Sequence, residues 1–215
     1  MSERDTMKTL LAEAGRTYAA QAGIKLDDKP APLYRLLVLS ILLSTRIKAD
    51  IAVDAARELA SAGMGTPKGM TDASWQDRVD ALGRAHYKRY DEQTATALGD
   101  GARLLLDEYG GDLRKLRAKA DGSARKVREL LTAFPRLGPT GANIFAREAQ
   151  AVWPELRPAL DGKALDGARR VGLPTSAPKL AALTTDDHLA ELAAALVRVA
   201  LDRSVADKVT QPVSG

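Results

Sequence analysis

The sequence predicts an all-α protein, a two-lobed helical bundle carrying a helix-hairpin-helix motif. Three observations lead there. Apolar residues recur at helical spacing along most of the chain, and alternating strand patterns are scarce. Glycine and proline punctuate the sequence where helices would end. The stretch LLTAFPRLGPTGANIFAREAQ (130–150) places two apolar helical runs on either side of a short turn closed by Gly138.

The elements follow in order. Residues 5–22 form a first helix with Leu10, Leu11 and Ala14 on one face, followed by a loop from Gly23 to Ala31, broken by Pro30 and Pro32. LYRLLVLSILLST (33–45) is an almost unbroken apolar run whose length suits a buried helix better than a strand. A helix over 48–62 stops at Gly63, and 64–75 is a connector with short helical turns. A helix over 74–82 takes Ser74 or Asp72 as its cap. Tyr87 to Tyr109 is one long helix closed by Gly110 and Gly111, and Asp112 opens a short one. Residues 123–134, capped by Asp121 or Ser123, and 139–152 are the two helices of the hairpin. Residues 164–171 and 184–202 complete about ten helices, and the tail KVTQPVSG frays. A central lobe over 33–133 and a second lobe from 1–32 with 134–215 are expected, with the motif itself over 123–151.

The bulk numbers exclude several classes. With no cysteine, the 215-residue chain has no disulfide, zinc–thiolate site or cysteine-ligated iron–sulfur cluster. His86 and His188 are too far apart in sequence to suggest a multi-histidine metal site. No apolar run reaches the ~18 residues of a membrane span. The start, MSERDTMKTLLAEAG, is charged and amphipathic, unlike a signal peptide, so a cytoplasmic protein without membrane contact is expected. The 32 Lys and Arg against 28 Asp and Glu leave a net charge of +4, which permits a basic face without requiring one.

The hairpin points to an anion. Its second helix opens at Pro139, where the missing N–H costs nothing, and the first N–H groups of a helix lack intrahelical partners. Gly138, with the backbone of Leu137, Thr140 and Gly141, is placed to hold a phosphate, and DNA is the natural source. Asp161 follows alone, between Leu160 and Gly162. A carboxylate there is either the N-cap of the 164–171 helix or the acid that stabilises positive charge on a sugar. Arg147 with Glu148 reads as a solvated helix pair. Trp153 packs beneath the hairpin helix, and Tyr90 packs the core.

Four blocks stand in a familiar order: LLSTR (42–46), YKRYDEQ (87–93), FPRLGPTGA (134–142) and LDGKALDGARRVGLP (160–174). Over roughly 30–175 the chain resembles the helix-hairpin-helix DNA glycosylase superfamily, in particular its endonuclease III-like group. The resemblance implies that Asp161 is the catalytic carboxylate. It implies that Arg46 ends the helix whose polar residue fills the gap left by a flipped base, although a phosphate contact at that helix end is an equal reading; Lys48 is a second phosphate candidate. Backbone carbonyls of Thr132, Phe134 and Leu137 would hold a monovalent cation, and no other cofactor is implied. Three departures stand out. Thr140 occupies the position of the lyase lysine, Arg136 that of the first hairpin glycine, and the C-terminal cysteine cluster is missing. A hydroxyl cannot form an imine, so a monofunctional enzyme is implied, with Lys163 the remaining candidate for weak lyase chemistry.

The expected function is base-excision repair: a monomeric DNA glycosylase, nucleoid-associated in a bacterial cytoplasm. It would flip a damaged or mispaired base out of double-stranded DNA and hydrolyse its N-glycosidic bond. A non-catalytic DNA-binding module, with Asp161 only a cap, and a glycosylase with a displaced lyase lysine are the alternatives.

Overall fold

A computed structural model describes residues 2–210. Every regular element among them is helical. In chain order the helices are α1 (Glu3–Ala14), α2 (Tyr18–Gln21), α3 (Pro30–Leu43), α4 (Ala49–Leu59), α5 (Pro67–Asp72), α6 (Trp75–Arg84) and α7 (Asp91–Tyr109). There follow α8 (Leu113–Lys119), α9 (Ala124–Leu131), α10 (Gly138–Ala149), α11 (Gly162–Arg170), α12 (Ala177–Ala181), α13 (Leu189–Leu201) and α14 (Arg203–Thr210). A π-helical turn follows α4 at Ala60–Met64, where Gly63 adopts φ 87°.

The helix ends explain where expectation and structure part. The expected helix over 5–22 is two, because α1 stops at Gly15. Pro30 sits at the start of α3, where a missing N–H is harmless, so it opens a helix instead of breaking a loop. The long helix starts at Asp91 and not at Tyr87, since His86 takes φ 59° and the chain turns there. The single helix expected over 184–202 is a 3-10 turn at Asp186–His188 followed by α13. Lys208, Val209 and Thr210 of the supposedly frayed tail belong to α14; Gln211–Gly215 lie outside the described residues. Ser74, Asp112 and Ser123 accept hydrogen bonds from the first turns of α6, α8 and α9. Ser2 and Ser74 each form a reciprocal capping box, with Asp5 and Asp77.

The chain divides into two units. One is Ala19–Phe145; the other comprises both chain ends, through Tyr18 and from Ala146 onward. These boundaries differ from the expected 33 and 133. Ala19, Ala22 and Ile24 are buried and belong to the central unit, so the leading loop is part of it. The hairpin turn joins it too, through Phe134, which packs close to Gly101, and Ser44, which bonds the Arg136 carbonyl.

The core of the central unit is α3, buried on nearly all sides from Leu33 to Leu42, as expected of a helix apolar all round. Ser40 survives there because its hydroxyl donates to the Leu36 carbonyl at 2.8 Å. The α4 helix packs on α3, α5 and α6 pack on α7, and α8 touches both α3 and α7. The Tyr34 hydroxyl is buried without a hydrogen-bond partner among the described residues, and that burial pushes its ionisation far above the usual phenol value.

The terminal unit is centred on α13, which packs against α1, α11 and α14. Met7, Leu10, Ala164, Ala168, Leu192 and Leu196 fill its core. The closest approach is between α11 and α13: a methyl group added at Gly167 would lie 1.9 Å from the Leu196 carbonyl oxygen. Arg170 Nη1 donates to the Val199 carbonyl at 2.9 Å and Arg198 Nη1 to that of Ala14 at 2.6 Å, satisfying carbonyls at two helix C-termini. Among the described residues no helix is long and apolar enough to cross a membrane.

Candidate nucleic-acid interface and carboxylate

The hairpin turn and the start of α10 lie in the central unit, and the site is built from that turn outward. The amphipathic α9 ends at Leu131, and six residues lead to α10. Phe134 and Leu137 are buried and anchor the turn, whereas Pro139 and Thr140 are exposed. Gly138 adopts φ 52°. The Gly141 N–H donates to the Leu137 carbonyl, but those of Gly138 and Thr140 reach no acceptor among the described residues. Pro139 has no N–H at all. The start of α10 therefore presents two unpaired donors to solvent, reinforced by the helix dipole.

Arg136 stands where the resemblance puts glycine, and it keeps the glycine conformation, with φ 62°. Its side chain is held in compensation. Nη1 donates to Gln93 Oε1 at 2.7 Å, and the guanidinium lies 5.7 Å from the centre of the Tyr90 ring. The Arg89 guanidinium lies 5.2 Å from the same ring. Ser44, Thr45, Arg46, Tyr90 and Arg136 line an open pocket of about 360 Å3. Ser44 Oγ bonds the carbonyls of Ile41 and Arg136, and Thr45 Oγ1 bonds the Tyr87 hydroxyl at 2.8 Å. The loop carrying Arg46 is thus tied both to the hairpin and to the turn before α7. Arg46, Lys48, Lys88, Arg89 and Arg136 are all exposed. The central unit brings together the sequence-expected Arg46 and Arg136. Tyr90, expected in the core, lines the pocket instead, whereas its neighbour Tyr87 is fully buried. Aromatic character alone does not distinguish the two. The turn at His86 does, because it ends the helical register that would bury both.

In the terminal unit, Asp161 is the N-cap of α11: Oδ1 accepts from the Ala164 N–H at 3.2 Å. The same oxygen lies 3.7 Å from Arg147 Nη1, in an ion pair whose side chains are 12% (Arg147) and 22% (Asp161) exposed. Oδ2 accepts no hydrogen bond from the described residues. One hydrogen bond thus holds the carboxylate, and none falls on Oδ2. Arg147 and Glu148 are not the solvated pair expected. Arg147 is largely enclosed, and Glu148, 3% exposed, accepts the Tyr18 N–H at 3.1 Å. The i, i+1 spacing carried the information: neighbours on a helix do not face each other, so each had to find a separate partner. Trp153 is fully buried. Arg169 pairs with Asp166 at 2.9 Å, so it is Arg170 that turns back into the unit.

Lys163 is half exposed and 4.0 Å from Asp166. Thr140 is exposed at the start of α10. The carbonyls of Phe134 and Leu137 each accept one backbone N–H, from Leu137 and Gly141, which leaves each a second lone pair for a hard cation of the kind carbonyls suit. The fit with Thr132, Phe134 and Leu137 is one of donor chemistry, and such a cation would brace the turn without entering the reaction. No cluster of three His, Cys, Asp or Glu occurs among the described residues.

No protein-family model matches the chain, and no curated protein sequence matches it. Among solved structures it is similar to a trapped endonuclease III–DNA covalent intermediate, an estranged-adenine complex. The identity is 14%, the match covers 92% of this chain and 86% of that one, and the TM-score is 0.50. The all-helical fold is thus one that a DNA-processing protein also uses; at this identity the likeness speaks of fold alone.

Proposed function

We propose that the chain is a DNA-repair glycosylase that releases a flipped base by hydrolysis. The observation that carries the reading is the start of α10, where the N–H groups of Gly138 and Thr140 make no hydrogen bond among the described residues. In the same unit Arg46, Tyr90 and Arg136 line one pocket. Backbone N–H groups at a helix start grip a phosphate without reading sequence. Arg46 then enters the base stack, its planar guanidinium offsetting part of the few kcal/mol that flipping costs.

Asp161 supplies the chemistry. As the glycosidic bond breaks, positive charge grows on the deoxyribose, and Oδ2 stabilises it and orients the attacking water. The departing base carries the bonding electron pair, and water adds to the sugar carbon. Thr140 has no amine for an imine, so hydrolysis is the expected route. The substrate is double-stranded DNA and the active species a monomer.

Duplex oligonucleotides carrying uracil, oxidised pyrimidines, mismatched adenine or alkylated bases, incubated and then treated with alkali, test this. Strand cleavage at one lesion is expected; tight binding with no cleavage at any would contradict it. That outcome would favour a DNA-binding module, a reading supported by the service of Asp161 as a helix cap. Borohydride trapping of a covalent complex, lost in Lys163→Ala, would instead assign lyase chemistry to Lys163.

A further inference from the structure

We propose that Arg147 is a positioning residue that fixes the Asp161 carboxylate in its working orientation, an inference that rests on the glycosylase reading. The support comes from the last turn of α10, which lies in the same unit as Asp161. Two side chains there, one turn apart, hold the segment that leads into α11. Gln150 Oε1 accepts the Ala159 N–H at 2.9 Å, while its Nε2 lies 3.3 Å from the Ala159 and Leu189 carbonyls. Gln150 is fully buried, so these bonds are shielded from water. Arg157 returns to the same turn, Nε to the Gln150 carbonyl at 2.8 Å and Nη2 to that of Ala151 at 3.1 Å. The backbone two residues before Asp161 is thereby pinned.

Arg147 acts on the carboxylate itself. Its Nη1 is buried, has no hydrogen-bond acceptor among the described residues, and stands 3.7 Å from Asp161 Oδ1. That is an ion-pair distance, not a hydrogen bond. The Ala164 N–H approaches the same oxygen. The hydrogen bond and the ion pair converge on one side of the carboxylate, so turning its plane away from that orientation would lose both. Oδ2 is left as the edge that faces sugar and water. A solvated arginine could not do this, since exposed ion pairs are worth little; enclosure on both sides makes the pairing directional. Gln150 places the backbone and Arg147 holds the plane of the carboxylate.

The test uses two duplexes that need no knowledge of the lesion. One carries a pyrrolidine analogue of the abasic sugar, which is cationic like the developing charge, and the other its neutral tetrahydrofuran counterpart. A positioned carboxylate makes the wild type bind the cationic duplex at least about tenfold more tightly, as transition-state mimics are favoured. Asp161→Asn is expected to erase that preference. Arg147→Met is expected to reduce it about fivefold or more while affinity for the neutral duplex stays within about twofold, and Arg147→Lys to restore part of it. A preference lost in Asp161→Asn but unchanged in Arg147→Met would overturn the role of Arg147 and leave that of Asp161 standing. No preference in the wild type would remove both. Should Arg147→Met fail to bind the neutral duplex, Arg147→Gln decides by the same ratio.

Discussion

Arg136 carries a conformational penalty that glycine would not. A side chain at φ 62° crowds the following carbonyl, and left-handed backbone costs an L-residue about 1–2 kcal/mol. Arg136→Gly and Arg136→Ala both lose the bonds to Gln93 and the stack on Tyr90, so their difference isolates the backbone. Glycine is expected to exceed alanine by about 1 kcal/mol in urea unfolding, the reverse of their order in ordinary helix. Equal midpoints would place the strain elsewhere. Tyr34 has the opposite problem, a buried hydroxyl with no partner. Removing it by Tyr34→Phe is expected to raise stability by about 1 kcal/mol, because an unsatisfied buried donor loses its water without recompense. A lower midpoint would indicate a partner for that hydroxyl. At this scale sequence was a partial guide. The positive φ at Arg136 was foreseeable from the glycine it replaces, whereas the enclosure of Arg147 depends on a segment more than a turn of helix away in sequence.

Among the elements, the contact of α11 with α13 is the most sensitive. Gly167→Ala would drive a methyl group to 1.9 Å from backbone at Leu196, which cannot move without shifting α13. A loss of about 3 kcal/mol or more is expected, in the range of overpacked cores, and a change under about 1 kcal/mol would contradict the packing described. The capped helix starts have a pH signature. Bonds from Ser2 and Ser74 hold the Asp5 and Asp77 carboxyls below the usual carboxylate range. A lowered value in the folded state means stability that is present above about pH 4 and lost as pH falls through the folded value. Urea midpoints between pH 5 and pH 2 should therefore fall less steeply in Asp77→Asn than in the wild type; parallel curves would contradict the cap. The caps at Ser74, Asp112 and Ser123 were legible because such residues announce themselves before an apolar run, whereas the cap at Ser2 lies ahead of the expected start at residue 5. The split of 5–22 and of 184–202 was not, since helical spacing continues across Gly15 and across Asp186–His188 while the backbone does not.

Over the whole molecule, the all-helical class follows from periodicity and from the scarcity of strand patterns. The exact division does not, because contacts and not composition hold 19–32 to α4 and α8, through Arg57 on the Gln21 carbonyl and Arg117 on Asp28, and the hairpin turn to Ser44 and α7. The basic residues of the central unit predict salt-sensitive DNA binding. Substituting Lys48 by alanine should flatten the slope of log affinity against log salt by about one phosphate contact. An unchanged slope would remove that residue from the interface. The proposed reaction rests on the acid at the start of α11. Asparagine caps a helix as well as aspartate does, so Asp161→Asn keeps the cap of α11 while removing the charge that pairs with Arg147. Single-turnover base release from the cleaved lesion duplex, measured for wild type and Asp161→Asn at saturating protein, is the most direct test. Release lowered by about a hundredfold or more, with duplex affinity within a few fold, is the expected result; release at the wild-type rate would contradict the account.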